Sequence, residues 1–331
     1  MILEKIIDRF KNKKILVVGE VILDKYIFGE VEKLSPEAPV IVVNEKKVEY
    51  KLGGAANTAN NINSLGGLAY LCSICDYDSE GQILRALVEE NQINNHLING
   101  KDKTIVKTRV IGYYPEHPEQ SIVRIDKENK GELDALVEAK VIDYLKRTIP
   151  EMDAVVISDY DKGILTKKII REIKKLTEYK IDTIVDTKPR KMHLYKNFSC
   201  FTPNIMEAYG FCKIKRESIE KDIKKLGEMM IKRLNPNFLV ITCGGDGMYL
   251  FDEGMKHIPI ASKEKAVDVS GAGDTVVAAL ALGLSAGARP LVATKLSNYA
   301  ADIVVKKRGT AIVSADELKR VIKENEYNKR M

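Results

Sequence analysis

The strongest constraint on this chain is a set of short apolar runs separated by helical patterns. The runs are Lys14-Ile-Leu-Val-Val-Gly19, Ala154-Val-Val-Ile-Ser158, Thr183-Ile-Val-Asp186 and Phe238-Leu-Val-Ile-Thr242. A run that is apolar at nearly every position suits a strand buried on both faces. Between the runs, Leu165 to Leu176 and Glu217 to Leu234 repeat apolar residues at helical spacing. Parallel strands need long crossovers, and helices supply them, so the expected class is α/β with a mostly parallel sheet covered on both faces. Ligands in such sheets bind beyond the carboxyl ends of the strands, where Gly19, Ser158, Asp186 and Thr242 fall.

Two stretches break the rhythm. Tyr26 to Tyr50 and Thr104 to Asp126 alternate polar and apolar residues, as in Ser121-Ile-Val-Arg-Ile-Asp126. Alternation implies sheet with one open face. We expect segments of about 25–50 and 104–126 to pair into a small β lid, whose other face would serve as a homodimer surface. At 331 residues the whole chain, 1–331, fits one domain carrying that appendage.

Charged residues make up 30% and hydrophobic ones 45%, an ordinary balance for a folded globular protein. The net charge of +6 is dispersed and mixed with acids, which argues against a nucleic-acid partner. No apolar run reaches bilayer length and the N-terminus lacks a signal-peptide layout, so no membrane partner is expected. Cys72, Cys75, Cys200, Cys212 and Cys243 lie in apolar or mixed runs and suit a reduced, cytoplasmic setting. The Cys72-Ser-Ile-Cys75 spacing has no second pair at zinc distance, so both thiols are read as structural.

The segment most informative about chemistry is Ala266-Val-Asp-Val-Ser-Gly-Ala-Gly-Asp-Thr275. A short strand, a Gly-Ala-Gly turn and a helix from Val276 would aim the amides of Gly271, Ala272 and Gly273 at one point, with the helix dipole behind them. That is a hole for an anion. A carboxylate just after it, Asp274, would repel a resting anion but could take a proton from an attacking hydroxyl; it could also simply cap the helix. A second constellation, Leu52-Gly-Gly-Ala-Ala-Asn57, offers bare backbone and an amide side chain to a polyhydroxylated ligand, or else a tight packing turn. The dinucleotide fingerprint fails, since Val276 stands where its third glycine belongs, and no nucleotide P-loop is present.

Gly53-Gly-Ala-Ala-Asn57 and Asp268-Val-Ser-Gly-Ala-Gly-Asp274 resemble the two signatures of the ribokinase-like (PfkB) carbohydrate kinases, and the resemblance runs over nearly the whole chain. More narrowly, Leu34-Ser-Pro-Glu-Ala-Pro-Val40, Ser158-Asp-Tyr-Asp-Lys-Gly163 and Phe201-Thr-Pro-Asn204 resemble the kinases of D-glycero-β-D-manno-heptose 7-phosphate. The resemblance implies a three-layer sandwich with a β lid, ATP as co-substrate, Mg2+ and, in several relatives, K+ as a monovalent cation.

It also implies roles. Asp274 would be the catalytic base and the backbone of Gly271, Ala272 and Gly273 the cradle for the moving phosphoryl group. Asp24, Gly53, Gly54 and Asn57 would hold sugar hydroxyls. Asn204 and Glu207 match an Asn-x-x-Glu motif that organises magnesium and phosphates, largely through water. Thr242, Gly244 and Gly247 would line the nucleotide's phosphates and ribose, and Asn298 and Ala301 would border the adenine. Asp268 and Gly309 match positions near a monovalent-cation site. Arg109, Arg124 and Lys162 are the candidates for the acceptor's distal phosphate, each weighed against ordinary surface charge.

The implied reaction is phosphorylation of the heptose 7-phosphate at O1. Asp186-Thr-Lys188 in place of Asp-Pro-Lys, and Ser270 in place of threonine, bear on the identity of the sugar. The alternatives are another sugar, sugar phosphate or nucleoside as acceptor, and a nucleotide- or sugar-binding regulator without turnover. Ending at Met331, the chain is expected to leave the nucleotide-transfer step to another protein.

Overall fold

The computed structural model describes residues 2–328 apart from 101–102, 115–118, 129–130, 132, 179 and 263, with only the backbone of 326–328. Residues 115–118 of the expected lid segment therefore lie outside the described residues.

Helix α1 (Ile2–Ile7) leads into β1 (Lys14–Gly19). The unbroken apolar character of β1 has a simple cause: Ile15 and Val17 enter one core while Leu16 and Val18 enter another. The chain then leaves the body as two long antiparallel strands, β2 (Val21–Leu34) and β3 (Ile41–Gly54), and returns as α2 (Ala55–Ser64). After β4 (Leu68–Ile74), α3 (Ser79–Glu90) and β5 (Asn94–Ile98) comes a second excursion, β6 (Val106–Tyr113) and β7 (Gln120–Lys127). The remaining body alternates α4 (Ala135–Thr148), β8 (Ala154–Asp159), α5 (Lys167–Thr177), β9 (Asp182–Thr187) and a two-residue β10 (Cys200–Phe201). Helices α6 (Ile205–Cys212) and α7 (Ile219–Leu234) precede β11 (Phe238–Thr242) and the hairpin β12 (Met248–Asp252), β13 (Gly254–Ile258). The chain closes with α8 (Ala272–Ser285), α9 (Pro290–Val304) and α10 (Ala315–Asn328).

The main sheet has the order β13-β12-β11-β10-β9-β8-β1-β4-β5, parallel except for the antiparallel β11-β12-β13 edge. One core lies between this sheet and α2, α3, α8, α9 and α10; the other lies between the opposite face and α4 to α7. This is a three-layer α/β/α sandwich. The two excursions meet in a separate four-stranded sheet, order β3-β2-β6-β7, as expected of a lid.

Three differences from the sequence reading have physical reasons. The β12-β13 edge is antiparallel because the strands are joined by a tight turn at Glu253, whereas a parallel pair needs a long crossover. The strand β10 is too short to show a periodicity of its own. No strand precedes the Gly-Ala-Gly segment: the amides of Val267 and Asp268 both donate to the Val305 carbonyl, so the approach is a loop pinned to the end of α9. Helix α8 accordingly begins at Ala272 rather than Val276, which puts Gly273 and Asp274 in its first turn.

Candidate active site

Asp274 stands at the N-terminus of a helix that is otherwise apolar, and it is only 3% exposed. A buried carboxylate needs donors. Helix α2 supplies two: Asn57 Nδ2 donates to Asp274 Oδ2 at 2.8 Å and Thr58 Oγ1 to Oδ1 at 3.3 Å. The Tyr160 hydroxyl, just beyond β8, donates to Oδ1 at 2.9 Å. Burial pushes the Asp274 carboxyl up to about 6, opposed by the bonds from Asn57, Tyr160 and Thr58 and assisted by the charge of Asp24. Such a group is largely ionised at neutral pH yet basic enough to accept a proton.

Gly271 caps α8 with φ 77°, and a Cβ there would lie 2.6 Å from Asn57 Nδ2. Glycine is thus required both by conformation and by the approach of Asn57. The amides of Gly273 and Asp274 open the helix without intrahelical partners. Ala272 N–H instead turns back to Val269 O at 3.3 Å, so it contributes less to the expected cradle than its neighbours.

Asp24 projects from β2 toward the same place, with Gly53 directly against it: a Cβ on Gly53 would come within 2.6 Å of Asp24 Oδ2. Gly54 caps α2, whose Ala55 amide donates to the Glu20 carbonyl at 2.9 Å. The structure therefore gathers Asp24, Gly53, Gly54, Asn57 and Asp274 at the junction of lid and body. The Asn57 amide is engaged by Asp274, and its Oδ1 accepts from Asn61 at 3.3 Å.

The cations read as phosphate ligands are separated and already paired. Arg109 Nη1 contacts Asp24 Oδ1 at 2.5 Å and faces a cavity of about 850 Å³ bordered by Lys47, Lys51 and Gly309. Arg124 forms a fork with Asp126 at 2.7 and 2.5 Å, and Lys162 reaches Glu128 at 2.6 Å. These two border a second cavity of about 1030 Å³ together with Lys107, Tyr160 and Lys188. Lys107, on the cavity face of β6, makes no ion pair among the described residues; its ammonium lies 4.9 Å from the Tyr160 ring centre.

On the far side of Asp274, Asn204 and Glu207 form a reciprocal cap on α6: Glu207 N–H donates to Asn204 Oδ1 at 2.9 Å and Asn204 N–H to Glu207 Oε2 at 3.0 Å. Lys188 Nζ donates to Glu207 Oε1 at 2.7 Å. Asn204 bridges to Thr242, where β11 ends. Gly244 and Gly247 bound the turn into β12, and Asn298 on α9 donates to the Pro259 carbonyl at 2.7 Å beside Gly247. Ala301 is one helical turn further along α9. Thr242, Gly247 and Asn298 therefore lie together around the turn from β11 to β12, with Ala301 on the same helix as Asn298. Asp268 ties two loops, accepting from Ser270 N–H at 2.9 Å and Gly309 N–H at 2.8 Å.

Burial and the Glu207 carboxylate push Asp186 up to about 7, with further repulsion from Asp274 and relief from Lys188. A divalent cation with phosphate would ease that crowding. No three His, Cys, Asp or Glu side chains among the described residues are grouped to hold a metal. The donor set fits an ion bound by few carboxylates, waters and phosphate oxygens, which is the habit of Mg2+.

Thr58, Tyr160, Lys107 and Lys188 were not assigned roles from sequence. Tyr160 and Lys188 lie in Ser158-Asp-Tyr-Asp-Lys-Gly163 and Asp186-Thr-Lys188, but nothing local to them shows that they converge on Asp274 and Glu207.

Comparison with known proteins gives a consistent picture. Residues 12–317 match the pfkB family carbohydrate kinase. The bifunctional protein HldE of a Nitratiruptor species is 36% identical over 308 residues, covering 92% of this chain and 64% of that protein. HldE of Desulfatibacillum aliphaticivorans is 37% identical over 317 residues, covering 94% and 63%. The chain thus spans less than two thirds of the length of these relatives. Phosphofructokinase-2 from Escherichia coli in complex with fructose-6-phosphate superposes with a TM-score of 0.77 at 17% identity, covering 95% of this chain and 99% of that one. Ribokinase from Arabidopsis thaliana complexed with ribose and ATP gives 0.72 at 18% identity, with 94% and 99% covered. These two establish the ribokinase-like fold.

Proposed function

From a chain that belongs to the pfkB family of carbohydrate kinases, and is therefore an ATP-dependent sugar kinase, we infer the phosphorylation of a sugar phosphate, D-glycero-β-D-manno-heptose 7-phosphate at O1. The observation that carries the chemistry is the buried Asp274, held by Asn57, Thr58 and Tyr160 beside the glycine-built opening of α8.

In this reading Asp274 takes the proton of the acceptor hydroxyl as its oxygen bonds to the γ-phosphorus of ATP, while the bond from that phosphorus to the β–γ bridging oxygen breaks and ADP leaves. Positioning and electrostatics do most of the work in such transfers. The first-turn amides of α8 face the transferred group. Asn204, Glu207 and Lys188 serve the nucleotide's phosphates, and a Mg2+ near Glu207 and Asp186 would neutralise charge on them. Thr242, Gly244, Gly247, Asn298 and Ala301 border the rest of the nucleotide. Asp24 and the Gly53-Gly54 backbone receive the sugar, and lid closure excludes water that would otherwise accept the phosphoryl group.

A 7-phosphate acceptor is favoured by the motifs shared with heptose kinases and by the basic cavity of Lys107, Arg124 and Lys162. Asp268 and Gly309, on loops already joined, are kept as the place for a monovalent cation. The outward face of the lid carries exposed Val123 and Ile125, 47% and 57% accessible, and supports a homodimer through that sheet. The five cysteines are unpaired and buried, in keeping with a cytoplasmic setting, and no helix among the described residues is long and apolar enough to cross a membrane.

Phosphorus NMR of the product made from heptose 7-phosphate and Mg·ATP tests the reading. A new anomeric phosphate beside the retained 7-phosphate is expected. Inertness toward this sugar with transfer to another in an acceptor panel would retain the kinase and reject the substrate; nucleotide binding without any transfer would favour a regulator.

A further inference from the structure

We propose that Tyr160 is a positioning residue for the base, its hydroxyl holding one oxygen of Asp274 so that the other is left to receive the acceptor's proton. This rests on the reading of Asp274 as the base.

A carboxylate offers about four lone-pair sites on its two oxygens. Oδ1 accepts from both Tyr160 and Thr58, at 2.9 and 3.3 Å, whereas Oδ2 accepts from Asn57 alone, at 2.8 Å. The remaining site is on Oδ2. Donors on both oxygens also resist rotation of the carboxylate, so that site points in a fixed direction.

The tyrosine is placed by its backbone. Its N–H donates to Glu20 Oε2 at 2.7 Å, and Lys162 N–H donates to Glu20 Oε1 at 3.1 Å. The carbonyl of the same Glu20 accepts the first amide of α2, at 2.9 Å. One buried residue therefore fixes both the tyrosine loop and the start of the helix bearing Asn57 and Thr58. Two ammonium groups lie over the ring, Lys107 of the lid at 4.9 Å and Lys188 at 5.3 Å from its centre. Burial and the neighbouring Asp274 charge hold the phenol well above its ordinary value, so it stays a donor.

The charged groups facing Asp274 are Asp24 on β2, Asp186 on β9 and Lys188 beyond β9, with Lys107 across the ring. Tyr160→Phe leaves all of them in place and keeps the ring. Only the hydroxyl goes, so a difference between the two proteins reports that bond.

The experiment is a carboxyl-carbon NMR titration of aspartate-labelled protein, with Asp274→Asn to assign the resonance, alongside the pH profile of kcat/KM for the sugar acceptor. In Tyr160→Phe the Asp274 midpoint and the acid limb should both move up by roughly one unit, with nucleotide affinity unchanged and the melting temperature lowered at alkaline pH but not near pH 4, about where the carboxyl is protonated in both proteins. A merely structural tyrosine would lower the melting temperature, or depress rates, equally at every pH. An unmoved midpoint overturns the proposal. The base reading has a separate failure: Asp274→Asn retaining turnover would remove it, whereas loss of turnover there with an unmoved Tyr160→Phe midpoint would reject the role of Tyr160 alone.

Discussion

Asn57 and Asp274 stand 217 residues apart in the chain and 2.8 Å apart in space, joined by a hydrogen bond from amide to carboxylate. One turn further along α2, and at the very next residue of α8, Thr275 Oγ1 donates to Asn61 Oδ1 at 3.0 Å. The two glycine-containing motifs thus meet: α2 anchors the carboxylate that α8 presents.

Replacing Asp274 by Asn should reduce kcat by about 10²- to 10⁴-fold while leaving ATP affinity intact, because a positioned general base contributes that range. Steady-state kinetics with calorimetric nucleotide titration would check this. Turnover within a few-fold of wild type would remove Asp274 from the role.

The pH dependence follows from the raised carboxyls. Asp274 acts as a base only when ionised, so kcat/KM should fall on the acid side with a midpoint near its value of about 6. Asp186, near 7, titrates in the same range, so the limb belongs to the coupled set. A profile from pH 5 to 9, values chosen to span roughly both groups, would show the limb. A flat profile down to the ordinary carboxylate range would contradict it.

Stability should move the opposite way. A carboxyl whose folded value lies above its unfolded one binds its proton more readily when folded, so stability is lost as pH rises from about 4 through about 6. Asp274→Asn should therefore be more stable than wild type at alkaline pH, by up to about 3 kcal/mol, with the gain fading toward pH 4, near the unfolded value. Calorimetric scans at both ends would read it.

Gly271 and Gly273 should separate. Alanine at 271 must adopt φ 77° and displace Asn57 from the base, whereas at 273 a Cβ meets nothing within 4 Å. Gly271→Ala should lose at least about tenfold in kcat through misplacement of the base. Loss in Gly273→Ala, with unchanged melting, would report crowding of the phosphoryl group instead.

The basic cavity predicts a selective defect. Lys107→Met or Arg124→Ala should raise KM for a phosphorylated acceptor by about tenfold, the loss of one charge-assisted contact, with KM for ATP unchanged. Equal effects on phosphorylated and unphosphorylated sugars would place the distal phosphate elsewhere.

What the sequence determined by itself was the layered α/β architecture with its lid sheet, and it singled out the carboxylate proposed as the base. Continuous apolar runs mark strands buried twice, alternation marks a sheet with an open face, and a carboxylate after Gly-Ala-Gly is chemically conspicuous. Those signals are local, so they survive in one dimension. Only the folded chain decided that Arg109, Arg124 and Lys162 pair with Asp24, Asp126 and Glu128, and that Arg109 faces a different cavity from the other two. It alone brought Tyr160, Thr58 and Lys188 to the site. Partners of a charge are chosen by whichever side chains the crossovers deliver within hydrogen-bond reach, and no spacing along the chain records that choice.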